Sequence, residues 1–103
     1  MKILVIDDIR TFPEATLHCR TFSEGLKALI DLEWDVLYLD HDLGDINKFV
    51  DERTGYDIAC FLEANPKYLP AKVRIVSSNP VGVKKMQAAL KKAYERKEKH
   101  ETL

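Results

Sequence analysis

Lys2-Ile3-Leu4-Val5-Ile6-Asp7-Asp8 joins a short, uninterrupted apolar run to a pair of carboxylates. A β-branched run of this kind, without polar alternation, has the pattern of a strand covered on both faces, as strands of parallel sheets are. Asp35-Val36-Leu37-Tyr38-Leu39 repeats it and ends on Asp40-His41-Asp42. Lys72-Val73-Arg74-Ile75-Val76 is a weaker instance that leads into Ser77-Ser78-Asn79. Leu17-His18-Cys19-Arg20-Thr21-Phe22 alternates apolar with polar residues, as an edge strand does.

Helical signals separate these runs. Ser23 is placed to cap a helix whose inner face carries Leu26, Leu29 and Ile30. Thr54 and Asp57 form a capping box ahead of Ile58, Phe61 and Leu62, and Asn65-Pro66 stops that helix. Asn79-Pro80 supplies an N-cap and a proline at the first helical position. From there Val83, Met86, Leu90, Ala93 and Tyr94 trace one stripe along a long final helix. From Lys97 to Leu103 only the terminal Leu could face a core, so a domain over 1–97 with a frayed, charged C-terminal tail over 98–103 is expected.

Strands alternating with helices predict an α/β fold, and right-handed crossovers predict a parallel sheet of order 2-1-3-4. Asp7 to Thr16 is barely long enough for a parallel crossover. With Pro13 inside it, the first helix is expected to be short or absent.

The chain has 103 residues, 46% apolar and 32% charged, which suits one globular domain with one core. A net charge of −1 gives no global field favouring nucleic acid or an anionic membrane. The apolar run at the start is too short for a signal h-region or a spanning helix, so a cytoplasmic protein with no membrane partner is expected. Cys19 and Cys60 fit no metal spacing and read as small buried hydrophobes. The lysines from Lys84 to Lys99 make either a solvated helix face or a contact for a partner or nucleic acid. Solvation is the commoner case. His18 and His100 carry no evident signal.

Ligands of open parallel sheets bind at the carboxyl ends of the strands, where the strand order reverses. In a 2-1-3-4 sheet Asp7, Asp8 and Asp40 converge there. Three carboxylates suit Mg²⁺, with Mn²⁺ as the other candidate. Ser77, Ser78 and Asn79 lead into a helix N-terminus and offer donors for a phosphate oxygen. Arg10 is placed to pair with the same anion. His41, between two aspartates, is either a general acid or base or a strand-end histidine that bonds the loop. Asp42 could ligate metal, orient His41 or cap the loop. The segment from His41 to Arg53, with Asp45, Asn47 and Asp51, is long for a βα connection and is either a lid or a surface insertion.

These motifs resemble a response-regulator receiver domain: Ile-Asp-Asp after the first strand, Leu-Asp after the third, Thr-Gly-Tyr-Asp at a helix start, and a hydroxyl after the fourth. The resemblance implies a truncated receiver-like (flavodoxin-like) three-layer fold. It makes Asp7 and Asp8 the metal pair, Asp40 the phosphoacceptor position and Ser77 the hydroxyl that touches the phosphoryl group. A fifth strand with its lysine is expected to be missing. Asp7-Asp8-Ile9-Arg10, Leu39-Asp40-His41-Asp42-Leu43-Gly44, Thr54-Gly55-Tyr56-Asp57 and Ser77-Ser78-Asn79-Pro80-Val81-Gly82 are similar to the cyclic-phosphate processing receiver-like family of bacteria and phages. That likeness implies a metal-dependent site for a cyclic phosphate or cyclic nucleotide, either a phosphoesterase or a ligand sponge. A phosphoacceptor signalling module or a protein-interaction module is the alternative. A homodimer covering the side of the sheet that lacks a first helix is a further expectation.

Overall fold

The computed structural model describes residues 1–43 and 53–101. Strands β1 (Ile3–Ile6), β2 (Leu17–Cys19), β3 (Val36–Leu39) and β4 (Lys72–Ile75) form a parallel sheet of order β2-β1-β3-β4. Helices α1 (Phe22–Asp31), α2 (Gly55–Ala64) and α3 (Pro80–Glu101) fill the connections, with a 3₁₀ turn at Pro66–Tyr68. The expected strand order and short first crossover are both present: Asp7 to Thr16 holds turns and no helix.

The pleat sorts the side chains. Leu4, Ile6, Leu37 and Leu39 point to one face and meet Leu29 of α1, Ile58 and Leu62 of α2, and Met86 and Leu90 of α3. All three helices therefore share one layer. The opposite face carries Ile3, Val5 and Tyr38, with Phe12 and Ala15 packed on them. There the third layer is reduced to the β1–β2 link. Phe12 sits edge-on to Tyr38, ring centroids 4.9 Å apart, and the Tyr38 hydroxyl donates to Glu14 at 3.1 Å. Ten residues are too few to cross the sheet and build a helix, so one aromatic covers the face instead. Val5 is fully buried beneath this cover.

Helix ends follow local chemistry. Thr21, rather than Ser23, caps α1 by accepting from the Glu24 amide at 3.2 Å. Ser23 lies inside the first turn because Phe22 must enter the core there. The Thr54–Asp57 capping box forms as expected, and Asn65 ends α2. Cys19 is buried, whereas Cys60 is half-buried; both are free thiols. Residues 44–52, with Asp45, Asn47 and Asp51 of the long loop, lie outside the described residues. Helix α3 continues to Glu101, and the last two residues lie outside as well. No helix among the described residues is long and apolar enough to cross a membrane.

Candidate metal centre at the carboxyl edge of the sheet

Ile6 of β1 and Leu39 of β3 are register partners, so the next residues, Asp7 and Asp40, emerge side by side. Their backbones are fixed: the Asp40 amide donates to the Ile6 carbonyl at 2.9 Å and the Asp7 amide to that of Cys19 at 3.0 Å. Asp7 is fully buried and Asp40 is 4% exposed, with Asp8 half-buried beside them. One oxygen from each of Asp7, Asp8 and Asp40 lies within 4.8 Å of the others.

Burial of like charges so close is costly without a counter-charge. Arg10 supplies part of it. Asp7 Oδ1 accepts from the amides of Ile9 (2.9 Å) and Arg10 (3.0 Å), and this turn brings the guanidinium back over the cluster. Arg10 Nη1 then sits 3.2 Å from Asp7 Oδ2 and 3.5 Å from Asp40 Oδ2. The bond to Asp7, followed by the charge of Asp40, raises the guanidinium pKa further above its ordinary value. Asp40 remains under strain: burial first, then the charge of Asp7, pushes its pKa up to about 6, although Arg10 and the His41 amide pull it down.

This shift predicts a pH dependence. The unfolded Asp40 titrates near 3.8 and the folded one near 6, so between those values the native state keeps a proton that the unfolded chain has released. Asp40 therefore lowers stability as pH rises through that window, by roughly 3 kcal/mol once the window is passed. Urea unfolding from pH 4.5 to 7.5 in EDTA checks this. The difference between wild type and Asp40→Asn should widen in favour of the variant as pH rises, and a constant difference would contradict it.

His41 lies next to the acid cluster, its side chain 17% exposed, with Nδ1 2.9 Å from Asp42 Oδ1. The Asp42 carboxylate accepts, so Nδ1 carries the hydrogen and Nε2 is left as the basic nitrogen. Two glycines let helix starts approach this strand end. A Cβ at Gly82 of α3 would overlap the His41 imidazole, and a Cβ at Gly55 of α2 would overlap the Asp40 carbonyl oxygen. The Gly55 amide also donates to the His41 carbonyl at 2.8 Å. Backbone cannot yield as a side chain can. Gly55→Ala is therefore expected to cost roughly 3 kcal/mol or more of stability, with Gly82→Ala much milder, as thermal melts of both variants would report.

At the fourth strand end the expected cap forms, with Pro80 at the first position of α3. Asn79 Oδ1 accepts from the Gly82 amide at 3.1 Å, and Ser77 Oγ accepts from the Asn79 amide at 3.1 Å. Both groups thus build the start of α3. Ser78 is exposed and Ser77 half-buried. The Val76 amide donates to Leu39 at 3.1 Å, which holds this segment at the same edge of the sheet as Asp40.

His18 contributes although nothing in its motif marked it. Its Nε2 donates to the Asp7 carbonyl at 2.9 Å, across from Val5 in the β1–β2 register. Strand pairing was the signal that could have found it.

The three carboxylates offer an oxygen-only, buried donor set, which fits a hard divalent cation such as Mg²⁺ or Mn²⁺. A cavity of about 530 Å³ lies elsewhere, lined by Trp34, Tyr68, Leu69 and Lys97 at the amino ends of β3 and β4. Its size reflects shape alone, whereas the costly charges sit at the other end.

Residues 2–92 match the family model of the cyclic-phosphate processing receiver domain. No curated protein and no solved structure matches the chain. With that span of the chain matched and a four-stranded 2-1-3-4 parallel sheet carrying its acid cluster at the carboxyl edge, the chain belongs to the cyclic-phosphate processing receiver domain family.

Proposed function

We propose that this domain is a divalent-metal-dependent phosphate-handling module that binds, and in the same pocket hydrolyses, a cyclic phosphate of the nucleotide class. One observation carries the proposal: buried Asp7 and Asp40 and half-buried Asp8 bring carboxylate oxygens within 4.8 Å, beside a histidine whose Nδ1 is tied to a carboxylate. Mg²⁺ or Mn²⁺ on those oxygens would polarise a phosphoryl group.

The other roles belong to the chain's own residues. With a cation held by the carboxylates, Arg10 would keep only part of its pairing with them and could bond two phosphate oxygens bidentately. Ser78, exposed at the edge, offers a further donor. His41 Nε2 takes the proton of the attacking water as its oxygen bonds to phosphorus. The same nitrogen returns a proton to the ester oxygen as the ring P–O bond breaks, leaving a linear monoester.

Incubation with candidate cyclic nucleotides and Mg²⁺ or Mn²⁺, followed by chromatography, tests this. Linear product supports hydrolysis. Saturable binding without product reduces the role to sequestration, and labelling of Asp40 by acetyl phosphate would instead make the domain a phosphoacceptor. Absence of all three overturns the proposal.

A further inference from the structure

Strand β4 lies at the edge of the sheet, and among the described residues no strand pairs with its outer side. The Lys72 amide donates to Asp35 at 3.0 Å and the Val76 amide to Leu39 at 3.1 Å. In a parallel ladder the alternate residues, Val73 and Ile75, then turn their N–H and C=O groups outward. Their side chains are only half-buried and form one wall of a groove of about 330 Å³, completed by Val83, Leu90 and Tyr94 of α3. Tyr94 is held rigid by donating to the Pro70 carbonyl at 2.8 Å.

Cations lie on both faces of this edge. Lys91 borders the groove on α3, while exposed Lys72 and Arg74 alternate with the apolar residues along β4 and so point to the opposite face, where the Arg74 guanidinium lies 5.4 Å from the Tyr38 ring centroid. Lysine on an edge strand blocks pairing with a second copy, because an antiparallel two-fold would set Lys72 and Arg74 against their own like charges. The same positions attract a strand of opposite sign.

We infer that the β4 edge and its groove form a docking site for an extended segment of another protein in which apolar residues alternate with Asp or Glu. The incoming strand bonds the outward groups of Val73 and Ile75, its apolar side chains enter the groove, and its acids meet Lys72 and Arg74. This site is separate from the carboxylates and stands whether or not the domain hydrolyses phosphate.

Amide NMR of the full chain, titrated with an end-capped octapeptide of alternating Val and Glu, tests the inference. Saturable shifts centred on Val73 and Ile75 are expected, with a Val and Lys peptide giving none. The Lys72→Glu/Arg74→Glu variant changes only exposed positions. It should weaken the Val and Glu peptide about tenfold and improve the Val and Lys one. No saturable shift, equal binding of both peptides, or concentration-dependent dimerisation through β4 without peptide overturns it. So would an oligonucleotide that shifts α3 lysine neighbours while the Val and Glu peptide leaves Val73 and Ile75 unmoved.

Discussion

Mg²⁺ in large excess should raise the melting temperature of the wild-type domain by roughly 10–20 °C, while Asp40→Asn should abolish the shift and be itself more stable without metal. Binding to the native state alone at about a hundredfold over Kd adds near 2.7 kcal/mol, and each kcal/mol moves a domain of this size by about 4–8 °C. The opposite sign in the variant follows from the apo cluster. Burial and Asp7 make ionisation of Asp40 costly inside the fold, even with Arg10 3.5 Å away, so a neutral amide of the same shape relieves repulsion at pH 7. The attraction to Arg10 is lost too, but the net shift of Asp40 shows that burial and Asp7 outweigh it. Differential scanning calorimetry with and without EDTA reads both effects. Arg10→Ala should behave inversely, being less stable without metal and gaining more from Mg²⁺, since the guanidinium and the ion compete for Asp7 and Asp40. A wild-type melt indifferent to Mg²⁺, or an Asp40→Asn melt that rises equally, would mean that Arg10 is the permanent partner of the cluster.

The fold was legible because its cues are local and repeated. Apolar runs at Ile3, Val36 and Val73 ending in polar clusters mark parallel strands, and the ten residues from Asp7 to Thr16 are too few for a helix whatever their composition. The convergence of Asp7, Asp8 and Asp40 follows from strand order, which handedness alone nearly fixes. What stayed hidden depends on contacts between distant residues. Phe12 as the cover of Tyr38 requires knowing which face the link crosses, and His18 as a support for Asp7 requires the β1–β2 register. Thr21 and Ser23 are equally good caps by type, and only the burial of Phe22 selects between them. Asn79, by contrast, was legible as a cap from Asn-Pro alone, and its Oδ1 accepts from the Gly82 amide. Gly55 and Gly82 stood in the family motifs without a reason. The reason is steric, since each admits a helix start against the backbone or ring that follows β3.

If the domain hydrolyses a cyclic phosphate as proposed, His41→Ala should leave the Mg²⁺-induced rise in melting temperature intact and cut turnover by roughly 10²–10⁴, the usual worth of a positioned acid or base. The separation follows from geometry. The metal candidates are Asp7, Asp8 and Asp40, whereas His41 points its Nδ1 at Asp42, 2.9 Å away, and lends the cluster only its backbone amide. Truncating the imidazole leaves that amide, and the Gly55 amide still has the His41 carbonyl to bond. Asp42→Asn keeps the size of the partner but removes the charge that fixes the tautomer. It should therefore lower turnover by a smaller factor and alter the pH profile, with KM for the cyclic phosphate little changed. Gly82→Ala offers an orthogonal check, because its methyl group displaces the ring without altering any ionisable group. If the ring is the proton carrier, Gly82→Ala follows His41→Ala in kcat and the wild type in Mg²⁺ affinity. An undiminished rate in His41→Ala would leave proton transfer to solvent, and the acid cluster with Arg10 would then have to account for all of the catalysis.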